Sequence, residues 1–182
     1  MEDYKARLAR LDLLDSSEVI NNTSIEHASL MIARMIARAR TSVKIFTGSL
    51  NPAVYADEAV LRAFGTFLLG REGNAQILVH SDGIKVTDDA IIGELSPLGK
   101  LAETFGYDLY ARIKVRRLSS QLQNSVSANF IVVDRKSFRF QRDIAKHDAV
   151  GSFNQPEIAE KLEPIFDDMF IRSDVIDLRV PA

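Results

Sequence analysis

The stretch SANFIVVDRKSFRF, residues 127–140, decides the fold of this chain. Within it, four apolar residues run directly into Asp134, a basic turn follows, and apolar and polar side chains then alternate. This pattern predicts two adjacent strands, at 129–134 and 137–141, joined as a hairpin. Seventeen residues beyond Asp134 the chain reads GSFN, residues 151–154. These two segments are therefore the first place to look for a functional site.

Outward from the hairpin, helical and strand patterns alternate along the chain. Apolar side chains at helical spacing predict helices over 3–15, 25–39, 56–69, 95–105 and 155–170. Short apolar or alternating runs predict further strands over 43–47, 75–80 and 111–118, and the polar residues 81–94 predict a loop. Because strands and helices alternate before a late strand pair, we expect an α/β fold with a mixed, mostly parallel sheet sandwiched between helices.

Local signals indicate where the helices begin and end. Thr23–Glu26 has the pattern of a capping box, and Asn154 is predicted to cap the last helix with Pro156 in its first turn. Gly106 is predicted to close the helix before it. Pro164 lies inside the last helix and is expected to kink it.

Composition indicates the general class of protein. The chain has 182 residues, 46% apolar and 26% charged, which is ordinary for one soluble globular domain. It contains no cysteine, which excludes disulfides and cysteine nucleophiles and fits a cytoplasmic location. No apolar run approaches the roughly 20 residues of a membrane helix, and the charged N-terminus does not resemble a signal peptide. We expect an N-terminal helix and linker at 1–22, a main domain at 23–173 and a C-terminal tail at 174–182.

Charge is distributed unevenly, although the formal net charge is only −2. Residues 112–146 contain nine Lys or Arg against two Asp, and residues 147–177 contain eight acids against two basic residues. Alternation predicts one basic strand face made of Arg112, Lys114 and Arg116, with Arg135, Lys136, Arg139 and Arg142 nearby. Two interpretations stay open. In the first interpretation, the face binds anions such as nucleic-acid phosphates, lipid headgroups or an acidic protein. In the second, it is a solvated edge strand whose charge the acidic last helix partly neutralises.

The order of elements and the pair VVD…GSFN resemble the phospholipase D superfamily. The signature of that family is His-x-Lys-x4-Asp followed by Gly-Ser-x-Asn. Its histidine attacks phosphorus, and its lysine and asparagine hold the phosphate oxygens. The resemblance covers roughly residues 23–173 and extends to small bacterial domains of this type. It implies a homodimer, because the family needs two such motifs, in one chain or across a dimer.

When the chain is aligned on that signature, it has the expected aspartate, glycine, serine and asparagine, but it lacks the histidine and the lysine that carry the chemistry. The matched positions, in motif order, are Ser127, Asn129, Asp134, Gly151, Ser152 and Asn154, with a longer gap before the glycine than is usual in the family. Serine stands at the histidine position and lacks the nucleophilicity of an imidazole, and asparagine stands at the lysine position without its positive charge. The resemblance therefore implies a pseudoenzyme, a non-catalytic binding or regulatory module, rather than a phosphodiesterase.

Two other functions remain as alternatives. His80 ends a predicted strand, and α/β sheets place their ligands at such strand ends. Together with Ser127, it is a candidate for a non-standard phosphodiesterase or nuclease site. The alternative interpretation is that His80 is a strand-end histidine bonded to a loop. The basic strand 112–117 alternatively indicates a nucleic-acid-binding accessory protein. Widely spaced histidines predict no metal site, and no motif predicts a cofactor. The expected partners are a second copy of the chain and a protein, nucleic acid or other anionic ligand.

Overall fold

The computed structural model describes residues 2–70, 72–80, 95–122, 128–143, 146 and 148–178, and the backbone of 85–86 and 91–92. The helices are α1 (Glu2–Leu13), α2 (Ile25–Arg38), α3 (Pro52–Tyr55), α4 (Glu58–Leu69), α5 (Ser96–Phe105) and α6 (Pro156–Ile171), with a 3-10 helix at Tyr107–Arg112. The strands are β1 (Ile20–Asn22), β2 (Ser42–Thr47), β3 (Asn74–Val79), β4 (Lys85–Val86), β5 (Ile91–Ile92), β6 (Ile113–Arg117), β7 (Asn129–Val133), β8 (Ser137–Gln141), β9 (Ala149–Ser152) and β10 (Asp174–Ile176). Most of the loop predicted at 81–94 lies outside the described residues, as do Ser127 and His147.

Eight strands form one mixed sheet in the order β1-β9-β8-β7-β2-β3-β6-β10. The hairpin predicted at 129–141 is confirmed as β7–β8. Strands β2, β3 and β6 run parallel, and the other neighbouring pairs are antiparallel. The α/β class and the mixed sheet are confirmed, but the expectation that most of the sheet is parallel is wrong. One reason is that β7 and β8 are joined by a turn of only three residues, and strands connected in that way pair antiparallel.

Helices cover both faces of the sheet, as predicted. On one face, α1, α2, α4 and α5 share a core with the strands, in which Met31 and Ile45 are fully buried. On the other face, α6 places Phe166 against Phe46 and Phe130. The central strands are therefore buried on both sides, which explains their nearly continuous apolar sequences.

The sequence patterns did not predict either edge strand of the sheet. β1 pairs with β9, and β10 pairs with β6, although the sequence places their residues in a linker and a tail. Each of these strands has three residues, too few to show an alternating pattern. α1 also packs onto the core through the buried side chains of Leu8 and Leu11.

Helix α2 begins at a cap one residue later than the capping box predicts. Ser24, rather than Thr23, is the N-cap, and its Oγ accepts a hydrogen bond from the His27 amide at 3.1 Å. The serine hydroxyl therefore satisfies one of the unpaired amides of the first turn.

The ends of α5 and α6 follow the predictions only in part. Gly106 closes α5 with a φ of +98°, as predicted for a glycine at this position. Gln155, rather than Asn154, is the N-cap of α6, and no side chain caps the helix. The helix then continues through Pro164 to Ile171.

Candidate functional site

The carboxyl ends of the parallel strands form one edge of the sheet, and this edge brings two predicted site residues together. The His80 amide, directly after β3, donates to the carbonyl of Thr47 at the end of β2 over 3.0 Å. On the other side of β2, Oδ1 of Asn129 accepts a hydrogen bond from the Gly48 amide at 2.8 Å. His80 and Asn129 therefore flank the end of β2, where α/β sheets place their ligands.

The side chain of Asn129 connects β7 to the backbone after β2 and to a side chain of β8. Besides the bond from Gly48, its Nδ2 donates to Oε1 of Gln141 at 3.3 Å, across the β7–β8 hairpin. Both ends of the side-chain amide are thus engaged within the fold. The resemblance places a lysine at this position, whereas this chain has Asn129, an uncharged side chain that forms hydrogen bonds to neighbouring segments.

A cavity of about 250 Å³ opens beside Asn129, on the side of the sheet that α2 covers. Its wall comes from the start of α2, residues 47–51, α3, β7 and β8. The polar lining includes Asn129, Gln141 and Tyr55, and Ile32 and Val54 contribute an apolar wall. Among the described lining residues, Arg139 alone carries a formal charge at neutral pH.

Arg139 lies in the middle of β8 with only 6% of its surface exposed. Its Nε and Nη2 both donate to Oδ1 of Asn22, at 3.2 and 2.8 Å. Within the part of the chain that the structure describes, no carboxylate forms an ion pair with it. Burial lowers the pKa of Arg139, but a guanidinium remains protonated in proteins. Among the described residues, this buried positive charge at the cavity therefore has only neutral partners.

Tyr55 lies in the same cavity as a neutral phenol. Burial raises the pKa of Tyr55 to about 12, although the nearby charge of Arg139 acts in the opposite direction. The hydroxyl is therefore a hydrogen-bond donor across the neutral pH range and adds no charge to the cavity.

Asp134 lies at the opposite end of β7, away from the cavity. Its carboxylate accepts hydrogen bonds from the amides of Arg40, Thr41 and Ser42 at 2.7–2.9 Å, and from the Thr41 hydroxyl at 2.9 Å. Burial by itself would raise the pKa of Asp134, but the hydrogen bonds from Ser42, Thr41 and Arg40 outweigh it and hold the pKa below its usual value. The aspartate therefore ties the hairpin turn to the start of β2.

The GSFN segment also lies away from the cavity. Ser152 stands opposite Phe138 in the register of β8 and β9, near the hairpin turn, whereas Asn129 begins the hairpin at its other end. Asn154 donates through Nδ2 to the carbonyl of Asp15 at 3.1 Å. The structure thus does not bring Ser152 and Asn154 together with Asn129.

The three basic residues predicted on one strand face have different environments. Arg112 lies in the 3-10 helix before the strand, so the prediction that it lies on the strand is wrong. Its Nη1 donates a hydrogen bond to the carbonyl of Gly70 at 2.5 Å. Arg116 donates through Nη1 to carbonyls at the end of α6, among them that of Phe170 at 2.9 Å, and stacks over the Phe170 ring. Lys114 is exposed on β6.

Sequence reasoning missed Arg139 and Tyr55 as cavity residues. The sequence pattern groups Arg139 with a basic surface near the strand face, and this prediction is wrong because the residue is buried. A signal was available: in a sheet with helices on both faces, every residue of a central strand points into one of two cores. Tyr55 lies in α3, a helix of four residues that is too short to show a periodic pattern.

Two further features concern metal ligands and membrane-spanning helices in the described part of the chain. There, no three His, Asp or Glu side chains are grouped so that they could hold a metal ion. Among the same residues, no helix combines the length and the apolar character required to cross a bilayer.

The fold is shared with solved structures of the phospholipase D family. Nuc from Salmonella typhimurium, a phospholipase D family member, superposes with a TM-score of 0.60 and 17% identity over 88% of this chain and 99% of Nuc. NucT from Helicobacter pylori gives 0.57 and 16% over 87% of this chain and 100% of NucT. TrmBL2, an archaeal chromatin protein described as showing a novel mode of DNA binding, gives 0.57 and 14% over 96% of this chain and 62% of TrmBL2. The chain therefore has a phospholipase-D-like fold, as its resemblance predicts.

Residues 24–179 match the family described as "Domain of unknown function (DUF7931)", and the chain belongs to that family. A comparison with curated proteins finds no match.

Proposed function

We propose that this chain is a non-catalytic phospholipase-D-like domain that serves as a binding or regulatory module. The observation that carries the proposal is the environment of Asn129, at the lysine position of a degenerate motif. Its amide is engaged by Gly48 and Gln141 and brings no positive charge to a pentavalent phosphorus. The structural roles of Asp134 and Asn154, which bond to backbone groups of other segments, support the same proposal.

Hydrolysis assays test this proposal directly. The purified chain is expected to show no turnover of bis(p-nitrophenyl) phosphate, single-stranded DNA or duplex DNA. Asn129→Lys, which restores the lysine of the signature, is also expected to be inactive, because a lysine supplies charge but no nucleophile. Turnover that disappears in His80→Ala would contradict the proposal. That outcome would favour the alternative phosphodiesterase or nuclease site built on His80 and Ser127.

A second candidate function is nucleic-acid binding, with the exposed Lys114 on β6 as the observation in its favour. The shared fold with TrmBL2, a chromatin protein whose description includes DNA binding, supports this candidate. Arg112 and Arg116 are poor probes of such a surface, because both donate to backbone carbonyls and their loss would disturb the fold.

Under this second candidate, Lys114→Glu is expected to weaken DNA binding about tenfold at low salt, since it replaces a phosphate contact with a repulsive charge. Lys161→Glu makes the same charge change on the exposed side of α6 and should have little effect. Light scattering with single-stranded and duplex DNA over a salt series measures both variants. Equal DNA binding by Lys114→Glu and the unmodified chain would exclude the basic strand as the binding surface.

We also propose that the module is a homodimer, because phospholipase D domains place two motifs across a pairing face. The same light-scattering experiment, run on the chain alone, should then give twice the monomer mass of 20.3 kDa.

A further inference from the structure

The charge of Arg139 is not balanced by the described part of the fold. A buried cation without a counter-ion is strongly unfavourable, and buried arginines are normally paired. Here two of the five guanidinium N–H groups share one neutral oxygen, Oδ1 of Asn22. The described side chains around the cavity supply no negative charge, because Tyr55 is a neutral phenol and the other polar lining groups are amides and hydroxyls.

The cavity that Arg139 lines has room for a small organic molecule. It measures about 250 Å³ and combines one cation with hydrogen-bonding groups of Tyr55 and Gln141. Ile32 and Val54 form an apolar wall in the same cavity. In sites for small organic ligands, a few convergent polar groups fix the orientation of a ligand whose apolar part packs on hydrophobic side chains.

We propose that this cavity binds a small organic carboxylate, with the head group on Arg139 and a short hydrocarbon body against Ile32 and Val54. The planar guanidinium fork matches the two oxygens of a carboxylate. One positive charge in the lining matches one negative charge on the ligand, whereas inorganic phosphate would bring more charge than the cavity balances. The inference rests on the proposed function, because it names the ligand class of a binding module.

Isothermal titration calorimetry with acetate, isovalerate and benzoate tests the proposal, with isovaleramide as the uncharged match for isovalerate and inorganic phosphate as the competing anion. At least one carboxylate is expected to bind saturably, and isovaleramide and phosphate should bind at least tenfold more weakly than the best carboxylate. Amide NMR shifts should localise the binding to Gly48 and Ser49, which line the cavity.

Arg139→Gln is expected to lower the carboxylate affinity at least tenfold, since it removes the only charge among the described lining residues. Arg142→Gln, which neutralises an exposed arginine just after the same strand, is the matched control and should bind normally. If Arg139→Gln does not fold, the comparison of isovalerate with isovaleramide on the unmodified chain, together with the NMR shifts, still decides the question.

Three outcomes would overturn the proposal: no saturable binding of any of the carboxylates, equal binding of isovalerate and isovaleramide, or tighter binding of phosphate than of the carboxylates. Binding is scored without turnover, so each of these outcomes leaves the proposed absence of catalysis untouched. Conversely, phosphodiester hydrolysis by a preparation that also binds a carboxylate through Arg139 would overturn the proposed function and leave the cavity assignment standing.

Discussion

Asp134→Ala is expected to lower the free energy of unfolding by about 3 kcal/mol, because it removes an acceptor that serves four donors at once. Three of these donors are consecutive backbone amides, those of Arg40, Thr41 and Ser42. Bonds to an ionised acceptor are stronger than neutral ones, and amides left without a partner on folding add their own desolvation cost. Urea denaturation followed by circular dichroism measures the loss.

The stabilisation from Asp134 should depend on pH in a predictable direction. The folded-state pKa of Asp134 is depressed, so its contribution is fully present above the unfolded pKa of about 3.9. The contribution is lost as the pH falls through the lower folded pKa, because the protonated carboxyl is a weaker acceptor. The difference in stability between the unmodified chain and Asp134→Ala should therefore be constant near neutral pH and shrink in acid.

Two further variants separate the hydrogen bonds from the turn geometry. Asp134 has a φ of +50° and Arg135 a φ of +56°, values that favour Asn, Asp or Gly at both central positions of the hairpin turn. Asp134→Asn keeps the turn and one carbonyl acceptor and should lose about half as much stability as the alanine variant. Asp148→Asn, at an exposed carboxylate, should change little. If Asp134→Ala were as stable as Asp148→Asn, the aspartate would not anchor the hairpin.

Much of the fold could be predicted because its central strands and long helices have strong patterns. The run 129–141 gave the correct hairpin, and the buried stripe of α2 gave the correct helix. The edge strands β1 and β10 could not be found in this way, because they are held by pairing with β9 and β6 and not by their own periodicity. Tertiary pairing decides such short strands, and local sequence does not contain it.

The arrangement of the site could not be read from motif spacing alone. A strand of five residues spans roughly 16 Å, so Asn129 and Asp134 lie at opposite ends of β7, although the resemblance assigns them to one linear motif. The longer gap before GSFN was the one sequence feature indicating that this segment would not lie beside Asn129. After that gap, β9 places Ser152 opposite Phe138, at the other end of the hairpin from Asn129.

The cavity illustrates a different limit: the motif position Asn129 lines it, but Arg139, its charged residue, belongs to no motif. The place of Arg139 in a strand of a covered sheet indicates burial, but its contacts with Asn22 and the cavity became known only from the folded chain. Its burial, the single neutral acceptor Asn22 and the adjacent cavity are all properties of the folded chain.

Lys44→Met is expected to lower the free energy of unfolding by about 3 kcal/mol, because it breaks a buried ion pair from one side. The Lys44 ammonium lies 2.7 Å from Oε1 of Glu163 and 2.7 Å from Oδ1 of Asp167. The side chains of Lys44 and Glu163 are only 11% and 12% exposed, so removal of the lysine leaves a largely buried carboxylate without its nearest cation. Arg135, which also contacts Glu163 at 2.8 Å, is mostly exposed and compensates only in part.

A double-mutant cycle between Lys44→Met and Glu163→Gln isolates the pair from the packing of either side chain. We expect a coupling energy of about 1–3 kcal/mol that changes little with salt, since buried charges are poorly screened. The ion pair of Arg62 with Glu58 on α4 is the matched control, because both of its side chains are exposed, at 71% and 84%. The same cycle there should give at most about 0.5 kcal/mol. Equal coupling energies at the two sites would mean that the charge of Lys44 does not help to hold α6 on the sheet, and that Lys44 contributes only the volume of its side chain.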